Sequence, residues 1–265
     1  MGLLYFFLVG VLYFFYTFYH LVRMDVAERE ISMNSIKQQA RFAGVLYIVL
    51  AITGIYSIMY VPGQIVEFGD ASATAANLLE SEQLYRFGLF VGIVSNIVFL
   101  FVGLALYRLF RDVDKRLAAL MVILVILGMG TGFVNTFNLL GALIVLSGAE
   151  FLSVFSQEQL EALAYFLIRL QSHGTMIVQV FWGLWLFPFG MLVIRSGFIP
   201  KIFGYLLYIG GTGYILSCAA FLLMSDRPDW VSPLTTILEV GELPVIFWLA
   251  IMGAREPMPV GNAAT

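Results

Sequence analysis

The sequence predicts an all-α protein, a polytopic transmembrane helix bundle with six core helices and one further candidate helix at the N-terminus. Three observations predict it. The chain of 265 residues is 61% hydrophobic and 12% charged, its mean hydropathy is +0.93, and its apolar residues gather into runs separated by short charged connections. One water-soluble core of this size hides far less apolar surface, so a lipid bilayer is the expected solvent.

In chain order, the first candidate element is Leu3 to Val22, apolar and crowded with Tyr and Phe. It has no basic leading region and no small-residue cleavage site, so it reads as a helix rather than a signal peptide. It belongs to an N-terminal extension, residues 1–32. Met33-Asn34-Ser35-Ile36-Lys37 has the look of a natural start with a basic flank, which predicts a misassigned start for the extension. The basic run behind Val22 argues instead for a true seventh helix, and both readings stand.

The bundle domain, residues 33–254, holds core spans at approximately 42–61, 88–107, 117–147, 174–194, 202–224 and 232–253. Each is long enough to cross roughly 30 Å of hydrocarbon at about 1.5 Å per residue. Asp70 is placed to cap a short helix through Leu79. Ser156 and Gln159 fit a capping box, and Leu160, Leu163, Leu167 and Leu170 then recur on one face opposite Glu158 and Glu161. That pattern predicts an amphipathic helix over 156–171, lying on the outer membrane surface or capping the bundle. The tail, 255–265, holds two prolines and small residues and is expected to be a disordered cytoplasmic segment.

Charge sets the expected orientation, because Lys and Arg concentrate on the cytoplasmic side of membrane proteins. Arg23, Arg29, Lys37, Arg41, Arg108, Arg111, Lys115, Arg116, Arg195, Lys201 and Arg255 fall in one set of alternating connections. Only Arg86, Arg169 and Arg227 remain of the fourteen basic residues, and they fall in the other set. Both ends of the six-helix core are therefore expected to face the cytoplasm of a cell membrane. A net charge of −3 with scattered cations offers no groove for nucleic acid. The single Cys218 allows no intrachain disulfide and no thiol-rich metal site. His20 and His173 share no helix face, and no G-x-S-x-G or HExxH pattern occurs, so no metal site or cofactor is expected.

Once oriented, the polar residues inside spans share a depth. Thr53, Ser57, Ser95, Asn96, Asn135, Asn138, Gln179, Ser217, Thr235, Thr236 and Glu239 fall in the outer halves, whereas Phe99 to Leu106 and Val245 to Met252 are almost purely apolar. Hydrogen-bonding groups in hydrocarbon need partners, so the pattern predicts either a water-filled cavity open to the outside or a set of interhelical bonds worth about 0.6 kcal/mol each.

Glu239 and Glu242 are the acidic residues within a core span, and Glu242 lies near its middle. A charge there costs at least about 2.5 kcal/mol on insertion scales. Spaced i,i+3, the two occupy adjacent parts of one helix face, so at least one is expected to be protonated at neutral pH or to bind a cation. Pro244 has no N–H for the carbonyl of Val240, which is expected to free that carbonyl beside them. The ligand-binding candidates are Glu239, Glu242, Asn135, Asn138, Gln179, Asn96 and His173. A carboxyl bonded to Asn135 or Gln179 for packing alone is the competing reading. Gly128, Gly130 and Gly132 in the third span and Gly210, Gly211 and Gly213 in the fifth sit near mid-membrane, where they mark either an unwound transport site or close helix packing.

Several segments carry a resemblance. Residues 69–77, Gly-Asp-Ala-Ser-Ala-Thr-Ala-Ala-Asn, then Arg195-Ser196-Gly197-Phe198-Ile199-Pro200-Lys201 with Gly204, and Gly241-Glu242-Leu243 before Trp248, resemble the bacterial membrane family catalogued as domain of unknown function 4386. The resemblance covers about residues 34–253. It implies a six-helix membrane domain and no activity. It also implies a histidine near the outer start of the fourth core helix, where Gln171 and His173 both stand in this chain.

Three functions remain open from the sequence. One is a transporter or binder of a small molecule or cation, entered from outside and using Glu239 and Glu242. Another is a non-catalytic component in membrane assembly, stress tolerance or signalling. The third is a membrane-embedded enzyme with a carboxylate-only mechanism.

Overall fold

The computed structural model describes residues 33–255 apart from 225 and 227. The candidate helix Leu3 to Val22, the tail beyond Arg255, and Arg227 lie outside the described residues. Contacts divide the chain into units Met1–Ile36 and Lys37–Thr265, and the second carries the architecture. Among the described residues every regular element is helical, and six helices are long and apolar enough to cross a membrane. The protein is a multi-pass, all-α membrane bundle.

In order, α1 (Met33–Ile55) passes through a π turn at Tyr56–Tyr60 into α2 (Val61–Ile65), and α3 (Ala71–Glu80) leads to α4 (Glu82–Phe110) and α5 (Lys115–Val145). A short turn at Glu150–Leu152 precedes α6 (Gln157–Leu184), α7 (Leu186–Ser196) and α8 (Lys201–Leu223). The last span is α9 (Val231–Glu239), a tight 3₁₀ turn at Val240–Glu242, and α10 (Leu243–Ile251).

Three spans change pitch, each just before a proline, and for one reason. Proline has no N–H to give the carbonyl four residues back, and its ring crowds that carbonyl. Before Pro62 the turn widens, and Val61 N–H reaches the Tyr56 carbonyl. Before Pro188 the helix breaks at Trp185, between α6 and α7. Before Pro244 the turn tightens instead, and Leu243 N–H takes the Val240 carbonyl. That carbonyl, expected to be free, is thus satisfied by an i→i+3 bond.

The capping residues act as their spacing predicts. Asp70 Oδ1 accepts the Ala73 N–H at 2.8 Å, and Ser156 and Gln159 close a reciprocal capping box at 3.3 and 2.9 Å. The helix that follows Ser156 departs from expectation. It is not a separate element over 156–171 but caps the bundle as the first part of a 40-residue helical segment, Gln157–Ser196, that runs through α6 into α7 with a break at Trp185. At about 1.5 Å per residue that is roughly twice the hydrocarbon thickness. No proline interrupts the path between Gln157 and Trp185, so the apolar stripe of Leu160, Leu163, Leu167 and Leu170 continues the span upward. There it packs against the tops of its neighbours: Ala164 and Ile168 join Val61, Ile65, Leu78 and Ala142 in one apolar cluster. Tyr165 Oη accepts the Gly69 N–H at 2.9 Å, and the Arg169 guanidinium lies 5.2 Å over Phe68.

The opposite end collects the basic residues. Arg41 donates to the Ile251 carbonyl through Nε at 3.2 Å and Nη2 at 3.0 Å, which ties the start of α1 to the last turn of α10. Arg195 pairs with Asp114 at 2.8 Å, and Arg255 N–H donates to Phe198 O at 2.8 Å. At Gly253, φ is +72° and an added Cβ would meet the Lys37 carbonyl at 2.8 Å. Only glycine meets both demands there. The half of the bundle next to this end is packed with apolar side chains: Trp185, Phe110, Phe189, Leu106, Met121 and Leu186 are all fully buried.

Close packing accounts for most of the mid-membrane glycines. A Cβ on Gly211 would stand 2.8 Å from the Gly183 carbonyl, and one on Gly213 would stand 2.9 Å from the Glu239 N. Gly128 lies against Phe181 and Gly132 against Asn96, while Gly130 faces open space. α5 and α8 stay helical through all six glycines.

Candidate functional site

The tight turn before Pro244 places Glu242. Its span, Val231–Ile251, has 21 residues, which puts this carboxyl near the middle of the membrane. Gly241 lets the turn close on α8, because a Cβ there would stand 2.6 Å from the Leu206 carbonyl. Two helices meet Glu242 with phenols. Tyr47 of α1 donates its hydroxyl to Oε2 at 2.6 Å, and Tyr214 of α8 donates to Oε1 at 2.6 Å. Both distances lie at the short end of the O–H···O range. Tyr47 is 3% exposed, and Glu242 is half-buried. Three separate spans therefore converge on one carboxylate.

Glu239 lies one turn toward the far, non-basic end. Ser217 and Tyr214 of α8 stand near it. Aromatic rings wall the site. Trp182 meets Tyr214 edge-on at 6.1 Å between centroids, and Trp185 lies 5.6 Å from Tyr47. From Trp185 the rings continue toward the basic end through Phe189 at 5.6 Å, Phe110 at 5.8 Å and Phe198 at 5.7 Å. Phe99 closes the side, edge-on to Trp185 at 5.2 Å.

Hydrogen bonds distribute the other sequence-predicted candidates elsewhere. Asn135 Nδ2 donates to Gln171 O at 2.9 Å and Thr175 Oγ1 at 3.2 Å, and Asn138 donates to Asn135 Oδ1 at 3.2 Å. These four residues form an amide cluster between α5 and α6. Asn96 turns back on its own helix, to Gly92 O at 3.0 Å. Gln179 Oε1 is buried with no hydrogen-bond donor among the described residues. The His173 ring lies on Phe221 at 5.1 Å. The amides and the carboxyls thus occupy separate places, and Glu242 takes tyrosines rather than Asn135 or Gln179 as partners. A crevice of about 30 Å³ lies between Ser57, Pro62, Tyr85, Gly88, Gln171 and Ser172, room for about one water.

Sequence reasoning missed Tyr47, Tyr214 and their role. A signal existed: tyrosine favours the membrane interfaces, yet Tyr47 and Tyr214 stand well inside the spans Ile36–Ile65 and Lys201–Leu223. A phenol at that depth needs an acceptor.

A family model described as Domain of unknown function (DUF4386) matches residues 42–253. The chain belongs to this family. The DUF4386 match takes in Tyr47, Tyr214, Glu239 and Glu242, together with every candidate read from the sequence. It begins eight residues after the start expected from the sequence. A curated relative of this DUF4386 member, an uncharacterized protein of Archaeoglobus fulgidus, is 37% identical over 76 residues, 29% of this chain. That stretch is 44% of the relative's own length, so the chain spans less than half of it. No solved structure matches the chain.

Proposed function

We propose that this DUF4386 member binds or transports a small molecule or ion at Glu242, with Glu239 beside it, from the non-basic face of the membrane. The observation that carries this reading is a mid-membrane carboxylate held by phenols from two other spans. Ionisable groups at such depth are costly and mark binding or relay sites by default. The basic end faces the cytoplasm of a bacterial cell membrane, and the C-terminus lies with it; the gathering of cations at one end supports this.

The test is a thermal-shift screen of the lipid-reconstituted protein against monovalent and divalent cations, protons and small polar molecules. An agent that stabilises the wild type and has no effect on Glu242→Gln supports the reading. Equal responses from the folded variant and the wild type to every agent overturn it.

A second reading has its own support. Glycine contacts hold α6, α8 and the last span at backbone distance, and the crevice between α2, α4 and α6 has room for about one water. Such packing suits a non-catalytic component of membrane assembly or signalling, in which the Tyr47–Glu242–Tyr214 contact locks three spans together. In that case Glu242→Gln lowers stability and changes nothing else.

A further inference from the structure

Glu242 is poorly arranged for a metal ion. Each oxygen already accepts one phenol hydrogen at 2.6 Å, which takes one of its two lone-pair sites and leaves at most one on each for a cation. Calcium takes about six to eight oxygen ligands and magnesium a near-ideal octahedron. Among the described residues no three His, Cys, Asp or Glu side chains converge on one point. The side-chain oxygens on the described residues beside Glu242 include those of Tyr47, Tyr214, Glu239 and Ser217. A proton needs no such cage. It needs one acceptor oxygen and neighbours that switch between donating and accepting, and a phenol does both.

The surroundings favour supply from one side. Toward the basic end the site meets the rings of Tyr47, Trp185, Phe189, Phe110 and Phe198, each packed on the next. Toward the far end it meets Tyr214, Glu239 and Ser217. The titratable groups acting on the pair are Tyr47 from α1, Tyr214 from α8, and the two carboxyls of the last span; Trp182 and Trp185 face it from the α6–α7 rod.

From these contacts we infer that the ion taken up at Glu242 is a proton, delivered from the non-basic face past Glu239 and Tyr214, and not a metal cation. This rests on the reading of Glu242 as the working group. Uptake adds one proton from water and breaks no heavy-atom bond. The proton bonds to Oε1 of Glu242, which then donates to the Tyr214 oxygen. The Tyr214 hydrogen, released from its former acceptor, rotates away from Glu242.

The experiment is infrared difference spectroscopy of the full chain in lipid, stepping the buffer between acid and alkaline. A protonated-carboxyl stretch that comes and goes in the wild type and is lost in folded Glu242→Gln is the expected result. If that variant does not fold, Tyr214→Phe serves: it keeps the carboxyl, removes one partner, and is expected to move the band's frequency and midpoint. Bands identical in wild type and variants overturn the inference. A parallel series in sodium, potassium, magnesium and calcium chloride at fixed pH separates the two failures. Stabilisation by one of these cations that depends on Glu242 sinks the proton and keeps an ion site. No response to protons or cations sinks both.

Discussion

At the residue scale, the carboxyl of Glu242 does two jobs, since it accepts two phenol donors and ties three spans. Glu242→Ala leaves both phenols buried without an acceptor, and each orphaned donor costs about 1–3 kcal/mol. Glu242→Gln keeps a carbonyl acceptor and is expected to lose less than half as much. Unfolding in mixed micelles orders the two variants, and equal losses would show that the phenols find other partners. Tyr47→Phe and Tyr214→Phe each remove one bond, worth about 1 kcal/mol in a membrane setting. Because they share one acceptor, a double-mutant cycle is expected to give a coupling of about 0.5 kcal/mol or more; strict additivity would mean that one bond is not formed.

At the scale of elements, the glycines separate contact from habit. Gly211→Ala forces a methyl to 2.8 Å from the Gly183 carbonyl, and backbone yields less readily than a side chain. The expected cost is about 1–3 kcal/mol, with α8 pushed away from α6. Gly130→Ala meets nothing within 4 Å and is expected to be neutral or to gain up to about 1 kcal/mol in helix propensity. Thermal unfolding of the pair checks both signs. The proline breaks belong to this scale too. Pro244→Ala restores the missing donor to the Val240 carbonyl and lets the 3₁₀ turn relax toward an α turn, which rotates Glu242 away from Tyr47 and Tyr214. The loss is expected to approach that of removing both phenol bonds.

For the whole molecule, the alternation of charge predicts sidedness. In a Cys218→Ser background, a cysteine placed at Lys115 is expected to react only with reagent reaching the cytoplasm, and one at Glu158 only with reagent added outside. Labelling of both from one side would break the six-span topology.

Much of this was legible without coordinates. Span number, the basic end, the caps at Asp70 and Ser156, and the depth of Glu242 all follow from local composition, because lipid forces every backbone group to pair within its own helix. That same rule makes each span readable one at a time. It says nothing about which face meets which neighbour. The union of Tyr47, Tyr214 and Glu242 depends on the 3₁₀ turn before Pro244 and on Gly241 closing against α8. The dispersal of Asn135, Asn138, Asn96 and Gln179 depends on helix rotations that shared depth cannot reveal. The sequence by itself determined a six-span bundle with a carboxyl at its centre. Only the tertiary structure decided that two tyrosines hold that carboxyl, because partner choice between helices is set by rotation and approach, and these arise from packing among all the spans at once.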